Sequence, residues 1–448
     1  MGYSTARRVA FEVLLRVYGR RAYSSIALDV AFTRNKLPLR EKNLASELVY
    51  GTLRWQNRLD YIISHLSSRN IDDVELKILN ILRLGVYQLL FLTNIPDRAA
   101  VKETTELAKL FGHKGKVSFI NAILREFCRR REEVSLPGFD EDPFGYLVFT
   151  QSHPRWLVKR WVERWGMDET RRFIEANNKE APLMLRMNAS RINEDSLIKK
   201  LSEEGVEIVP SSHLPYSLII KKGDPLNTRS FKDGLFYLQD EASQMIPFLL
   251  SPKKGERLLD ACAAPGGKTV ILAHLLGGGG MLVANDRHQG RIKLLRSNLE
   301  RLRLSGVRVL ASDVTAPPFN PCSFDQLLLD APCSCLGRIR RAPEIKWLRS
   351  EEDIDKLFSL QLEMLLKTSE LVKKGGRVIY STCSVEPEET TDVVERFLDE
   401  RRNFKLRDLR DGLDIKLTSF VNDDGFFLSF PHKHNTDAFF AALLEKTF

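Results

Sequence analysis

The stretch Asp260-Ala261-Cys262-Ala263-Ala264-Pro265-Gly266-Gly267-Lys268-Thr269 decides the fold. A short apolar run, Arg257–Ala261, leads into it and a helix follows. Its small residues and glycines let the backbone and a helix N-terminus approach a ligand closely. Taken alone the loop is ambiguous, but two common readings lose ground. A Walker phosphate loop needs glycine six residues before Lys268, where Cys262 stands, and no GxGxxG fingerprint is present. Nucleoside triphosphate hydrolysis and hydride transfer are therefore disfavoured.

Outward from that turn the pattern alternates strand and helix. Strands are expected near Arg257–Ala261, Met281–Asn285, Val307–Ala311, Gln326–Leu329 and Arg377–Tyr380. Such alternation is that of a doubly wound α/β domain, which carries its chemistry at the carboxyl ends of its strands. The first four strands end at Asp260, Asn285-Asp286, Ser312-Asp313 and Asp330-Ala331-Pro332-Cys333-Ser334. Any one of these aspartates can cap a helix; four together point to a ligand. Asp286 lies 26 residues after Asp260, an offset at which a carboxylate accepts hydrogen bonds from ribose hydroxyls. The fifth strand runs into Ser381-Thr382-Cys383-Ser384, so Cys333 and Cys383 are expected in the same crevice. Either cysteine alone reads equally as buried packing. As a pair they suggest a nucleophilic thiolate.

The rest of the chain differs in character. Residues 1 to about 135 read as an all-α bundle, with apolar stripes such as Ala10, Val13, Leu14, Val17 and Leu79, Leu82, Val86, Leu89 at helical spacing. Breaks are expected at Asn35–Pro38, Ser67–Asp73 and Asn94–Asp97, and a linker at Glu132–Tyr146, which holds two prolines, two glycines and five acids. Beyond it, His153–Gly166 reads as a helix interleaving three tryptophans with basic residues, a pattern that either stacks bases or packs a core. Strands at Leu183–Met187 and Val206–Val209 around a helix from Glu194 to Glu204 suggest a small α+β module. Three segments follow: 1–140, 147–250 and 251–448.

Composition narrows the class. A length of 448 residues with 43% apolar and 28% charged residues is globular, and the six cysteines lack the CxxC pairs of a zinc ribbon. No metal site is expected. Neither a signal sequence at Met1–Arg8 nor a membrane span is expected, which points to a cytoplasmic protein. The net charge of +9 is concentrated early: residues 1–150 carry 23 basic and 17 acidic side chains, residues 151–250 carry 15 and 14, and residues 251–448 carry 30 and 28. A basic segment joined to a nearly neutral one suits a nucleic-acid anchor on a catalytic unit, and equally a solubilising surface.

In order and spacing, Asp260–Thr269, Asp286, Asp313, Asp330–Ser334 and Ser381–Ser384 resemble the motifs of the Sun-type S-adenosylmethionine-dependent RNA 5-methylcytosine methyltransferases. Phe119-Ile120-Asn121-Ala122-Ile123-Leu124-Arg125 resembles a NusB-like helical RNA-binding domain. His153-Pro154, Leu185-Arg186-Met187-Asn188 and Gln239-Asp240-Glu241-Ala242-Ser243 resemble the family's middle segment. The resemblance implies an N-terminal all-α NusB-like bundle, a small α+β middle domain and a C-terminal Rossmann-like methyltransferase domain. It also implies S-adenosyl-L-methionine as cofactor, with S-adenosyl-L-homocysteine as product.

Residue roles follow from the same resemblance. The backbone of Cys262, Ala263, Ala264, Pro265, Gly266, Gly267 and Lys268 is expected to cradle the methionine part, Asp286 the ribose and Asp313 the adenine amino group. Asp330 is expected to face cofactor and base, Cys383 to be the nucleophile and Cys333 to assist release. Cys335 stands where the family usually has glycine, and Arg338, Arg340, Arg341 and Lys346 beyond it read as either phosphate contacts or a solvated basic face. His434, Thr436, Asp437, Phe439 and Phe440 resemble closing strands and read as mainly structural. The three-part layout is similar to bacterial enzymes that methylate one 16S ribosomal RNA cytosine, position 967 in the usual numbering. The expected partner is RNA, most of all 16S rRNA, not DNA or membrane, and the expected state a monomer. Transfer RNA or another ribosomal site remains open as substrate, as does a non-enzymatic RNA-binding assembly module.

Overall fold

The computed structural model describes residues 5–67, 69–411 and 415–448. The first four residues of the Met1–Arg8 stretch, and Ser68 in the expected break at Ser67–Asp73, lie outside them. The chain forms two compact units, Met1–Glu180 with Ile339–Leu348, and Ala181–Arg338 with Arg349–Phe448.

Seven helices begin the first unit: Thr5–Arg20, Ser24–Asn35, Leu39–Arg54, Gln56–Leu66, Leu76–Phe91, Asp97–Lys109 and Lys114–Arg130. Pro38 and Pro96 start two of them, since a residue without an N–H costs nothing where the helix has no internal acceptor for it. The apolar stripes read from the sequence all enter one core. Leu76–Phe91 is buried along most of its length, and its Arg83 is neutralised by Asp60 through two hydrogen bonds of 2.7 Å. Arg155–Trp165 and Met167–Asn178 follow, separated by Gly166 at φ +77°. Trp161 is fully buried and lies edge-on to Phe173 with centroids 5.0 Å apart, so this indole packs a core instead of offering a face to a base.

The segment Ile339–Leu348 is held in this first unit by polar contacts to backbone. Lys346 is fully buried and donates to the carbonyls of Arg54 at 2.8 Å and Ser152 at 2.6 Å, and Arg340 donates to that of Glu180 at 2.7 Å. Arg340 and Lys346 thus meet neither expectation, phosphate contacts or a solvated basic face. Their charges satisfy carbonyls that helix ends and turns leave without partners.

The second unit contains two sheets. The smaller has β1 (Leu183–Met187), β2 (Glu207–Pro210), β3 (Ser217–Lys222) and β4 (Phe236–Leu238), antiparallel in the order β2-β3-β1-β4. The helix Glu194–Glu203 is capped by Asn193, whose side chain accepts from the Ser196 N–H at 2.9 Å. β3 and β4 escape a periodicity reading because β3 lacks alternation and β4 has three residues.

The larger sheet holds β5 (Arg257–Asp260), β6 (Met281–Asp286), β7 (Val307–Ala311), β8 (Phe324–Asp330), β9 (Val372–Thr382), β10 (Phe404–Arg407), β11 (Phe427–Ser429) and β12 (Phe439–Lys446). Its order is β10-β12-β9-β8-β5-β6-β7, with β11 paired to β12. The run from β9 to β7 is parallel, and β12 lies antiparallel to β9 and β10. Strand order reverses between β5 and β8, so a crevice opens where Asp260 and Asp330 end their strands.

The small sheet is tied to the helix Gln289–Arg301 beside the large sheet. Asn188 donates to the carbonyls of Gly234 and Leu302, both at 3.0 Å, and Arg301 donates to those of Phe231 at 2.8 Å and Phe236 at 3.0 Å. Gly234 has φ +71°, and a Cβ there would lie 1.9 Å from the Arg301 carbonyl oxygen. Gly234→Ala is expected to cost about 2 kcal/mol or more, read as a lower melting temperature in thermal unfolding. An unchanged melting curve would mean that this contact is loose.

Candidate active site

The loop after β5 carries the motif from Cys262 to Lys268. The Ala263 N–H donates to the Asn285 carbonyl at 2.7 Å, and the Gly266 N–H to the Ala263 carbonyl at 2.8 Å. Gly266 has φ +111°, and the helix Gly267–Leu276 begins directly after it. Asn285, which the sequence reading passed over, binds three strand ends together. Its amide donates to the carbonyls of Ala261 at 3.1 Å and Ser312 at 3.0 Å, and its oxygen accepts from the Ser312 N–H and hydroxyl.

All seven residues from Cys262 to Lys268 line a cavity of about 430 Å³, together with Asp330 and Cys383. Asp286 ends β6, Asp313 lies two residues beyond β7, and Cys333 is buried beside Cys383; none of these three lines that cavity. The Lys268 side chain also enters the site: Nζ lies 2.7 Å from Asp330 Oδ2 and 3.0 Å from Ser243 Oγ. Ser381 Oγ donates to the other oxygen of Asp330 at 2.9 Å. Gln239 and Ser243, quoted only as middle-segment motif residues, thus wall the crevice, as do Asp437 and Phe439. Asp437 is buried and pairs with Arg338 at 3.6 Å, so it does more than close a strand.

The carboxylates have unlike surroundings. Asp260 accepts from Thr269 Oγ1 at 2.6 Å, while burial, with Asp330 and Asp286 nearby, pushes its pKa up to about 7. Asp286 accepts from the His288 N–H at 3.0 Å and faces Arg291 at 3.2 Å. Asp313 is held below the usual carboxylate range by hydrogen bonds from the Thr315 backbone and hydroxyl, with Arg287 nearby.

Cys333 Sγ and Cys383 Sγ are 3.3 Å apart, and Cys335 Sγ lies 4.0 Å from that of Cys333. Contact with Cys335 and Cys383, together with burial, raises the Cys333 thiol. For Cys383 the contact with Cys333 favours the thiolate, but Cys335 and burial outweigh it and raise the thiol, against Arg338. Cys335, accepting from Cys333, is lowered.

One buried carboxylate organises both cysteine loops. Glu389 accepts from the Ser334 N–H at 2.7 Å, from Gln361 Nε2 at 3.0 Å and from the hydroxyls of Ser334 and Ser384. Burial pushes its pKa up and these donors oppose the shift. Tyr380 OH donates to the Glu389 carbonyl at 2.8 Å, and Gly337 N–H to the Cys383 carbonyl at 3.0 Å.

Away from this crevice, the first unit has a cavity of about 1340 Å³ between the helices Asp97–Lys109 and Lys114–Arg130, with Arg98, Lys102, Phe119, Arg125 and Arg129 on its wall. The basic helix end beside it is partly neutralised: Arg129 pairs with Glu126, Arg130 with Glu133 at 2.7 Å and Arg131 with Asp97 at 2.9 Å.

Comparison with known proteins identifies the family and its domains. The model of the 16S rRNA methyltransferase RsmB/F family matches residues 247–445, that of the NusB family residues 4–129, and that of an RsmF/B-like ferredoxin-like domain residues 153–227. The chain is 34% identical over 451 residues to the probable ribosomal RNA small subunit methyltransferase B of Bacillus subtilis, covering 100% of both chains. It is 35% identical to the ribosomal RNA small subunit methyltransferase B of Escherichia coli O127:H6, covering 83% of this chain and 85% of that one. Among solved structures, that of PH0851 superposes with a TM-score of 0.82 at 28% identity over 98% of each chain. A methyltransferase homologue from Pyrococcus horikoshii gives 0.57 at 30% identity, over 67% of this chain and 97% of that one. The fold is that of a NusB-like helical domain, a small ferredoxin-like domain and a Rossmann-like methyltransferase domain.

S-adenosyl-L-methionine is the cofactor, and the crevice fits it. Asp260 Oδ1 is a buried acceptor with no hydrogen-bond donor among the described residues, Asp286 Oδ2 has the Arg291 guanidinium at 3.2 Å without a formed hydrogen bond, and the cofactor brings an ammonium and two ribose hydroxyls. A side chain at Gly267 would meet the Gln239 amide at 2.9 Å, so glycine keeps the loop close to the opposite wall.

Two outcomes are expected. An acid whose pKa is higher folded than unfolded binds its proton more tightly in the folded state, so Asp260 lowers stability as pH rises from its ordinary 3.8 to about 7, and no further above that. Wild type should therefore lose up to roughly 4 kcal/mol relative to Asp260→Asn between pH 4 and pH 8, measured by denaturant unfolding. Parallel curves for the two proteins would disprove it. Glu389→Gln puts a donor where hydroxyls donate, and should lower methyl transfer about 10- to 100-fold while cofactor affinity by calorimetry changes little.

Proposed function

Because the chain belongs to the ribosomal RNA small subunit methyltransferase B family, we propose that it forms 5-methylcytosine in 16S ribosomal RNA, at the position-967 type of site, through a Cys383 adduct. The observation that carries this reading is the pair of thiols 3.3 Å apart, one on the cavity wall and one buried behind it, beside a crevice that fits the cofactor.

The backbone from Cys262 to Lys268 holds the methionine part, Asp286 the ribose and Asp313 the adenine amino group. When bound, the cofactor supplies an electrophilic methyl group on a sulfonium centre. Carbon 5 of cytosine is a poor nucleophile, so Cys383 first bonds to carbon 6 and sends electron density to carbon 5. Asp330, fixed by Lys268 and Ser381, faces the base and fixes its orientation. Once carbon 5 is methylated, a base takes its proton, the pair of that carbon–hydrogen bond becomes the carbon 5–carbon 6 double bond, and the carbon 6–sulfur bond breaks, returning its electron pair to Cys383. The Cys333 thiol, in hydrogen-bond contact with Cys383, stabilises the departing thiolate. Arg338, paired with Asp437 on the cavity wall, keeps a positive charge near the Cys383 sulfur.

Reaching the crevice requires the cytosine to leave its stack, which is cheapest in a loop. Residues 1–140 serve as RNA anchor, 147–250 as a second RNA-binding segment and 251–448 as the catalytic part, in a monomer acting in the cytoplasm. The groove with Arg98, Lys102 and Arg125 is the candidate phosphate track.

Labelled methyl transfer to unmodified 16S RNA, mapped at base resolution, tests this. Wild type should label one cytosine and Cys383→Ala none. Cys333→Ala should instead accumulate a protein–RNA complex that survives denaturing electrophoresis. If Cys383→Ala still transfers, the nucleophile is elsewhere; label at another site would redirect the substrate assignment.

A further inference from the structure

We propose that Cys333, Cys335 and Cys383 together form a binding site for a thiophilic cation of the Zn²⁺ or Cu⁺ type, and that the bound ion masks the nucleophile. The masking half rests on the Cys383 assignment above; the binding half does not.

Along the sequence nothing marks the three thiols as one cluster: Cys333 and Cys335 flank one serine, and Cys383 is about fifty residues away. The fold brings all three sulfurs within 4.8 Å of one another, with separations of 3.3 Å for Cys333–Cys383 and 4.0 Å for Cys333–Cys335. Three zinc–sulfur bonds of about 2.3 Å at tetrahedral angles place the sulfurs about 3.8 Å apart. Adjustments of well under an ångström at the two measured separations would therefore let the thiols share one ion.

The loops that carry them are already ordered. Ser334, between the first two cysteines, and Ser384, next to the third, are bound to the same Glu389 carboxylate. The Gly337 N–H holds the Cys383 carbonyl at 3.0 Å. Little conformational entropy is left to lose on binding an ion.

Cys335 adds a second, independent observation. Its backbone is left-handed, with φ +64°, a conformation that glycine adopts freely and that costs other residues about 1 kcal/mol. The chain accepts that strain and thereby directs a third sulfur at the other two, although neither forming the adduct nor releasing it calls for a third thiol. Soft sulfur donors select d¹⁰ cations over Mg²⁺ or Ca²⁺. Cys383 opens onto the cavity, which leaves a fourth position for water. Binding replaces thiol protons, so three thiols and Zn²⁺ give a tris-thiolate complex and three protons released to buffer. With its sulfur lone pair on the ion, Cys383 cannot add to carbon 6.

The test uses the full chain kept reduced by a phosphine, with Co²⁺ as the visible probe and Zn²⁺ as competitor. One equivalent of Co²⁺ should produce a sulfur-to-cobalt charge-transfer band that Zn²⁺ abolishes, and stoichiometric Zn²⁺ should stop methyl transfer until a chelator restores it. Cys335→Gly should keep cofactor affinity and transfer methyl no more slowly than wild type, since Cys335 raises the Cys383 thiol, yet bind Zn²⁺ about 100-fold more weakly. If wild type transfers methyl but shows no band, or if Cys335→Gly binds Zn²⁺ like wild type, the metal site is overturned. A band with transfer undiminished in the loaded protein overturns the masking and the Cys383 assignment, and leaves the binding site standing.

Discussion

The buried Glu389 carboxylate is the constraint on which the catalytic geometry depends. Two loops, one after β8 and one after β9, must present their cysteines to each other, yet no covalent bond joins them. Glu389 accepts from Ser334 in the first loop and Ser384 in the second, and Gln361 connects it to the Pro332 carbonyl at 2.9 Å. Hydrogen bonds to a charged group contribute about 1.5–3 kcal/mol each, and a buried carboxylate without them would be strongly unfavourable. The loops are thus held by the same donors that make the charge tolerable. Tyr380, on β9 itself, anchors the Glu389 backbone, so the support reaches the sheet.

Around that support the crevice concentrates carboxylates while giving each one different partners. Asp330 is matched by Lys268, Asp286 faces Arg291 and Asp313 faces Arg287, whereas Asp260 has only the Thr269 hydroxyl and holds its proton to near neutral pH. A site of this kind is negative enough to receive a sulfonium and an ammonium without repelling them, and each side chain is already oriented before the cofactor arrives. The thiols are placed by packing and hydrogen bonds alone, since all six cysteines are free.

The segment Ile339–Leu348 shows how burial reverses a reading based on charge. In sequence it is a basic run beyond the Cys333 loop, which suggests either phosphate contacts or a solvated basic face. In the fold its Lys346 and Arg340 donate to main-chain carbonyls within the helical unit, and Trp347 donates to the Leu53 carbonyl at 2.6 Å. Charge along the chain does not report which end of a long side chain finds water.

Much is legible in the sequence alone. Strand-ending aspartates, the glycine loop and the paired cysteines are local signals, because a parallel sheet places its strand ends in one crevice whatever the rest of the chain does. Apolar periodicity located the bundle, since one buried face repeats every turn. What only the tertiary structure decided are relations between distant residues: Asn285 joining three strand ends, Glu389 joining two loops, Ser243 meeting Lys268, and Cys335 coming within reach of Cys383. Such contacts leave no period or spacing to read, because they arise where separate elements cross and where burial forces each polar group to find a partner.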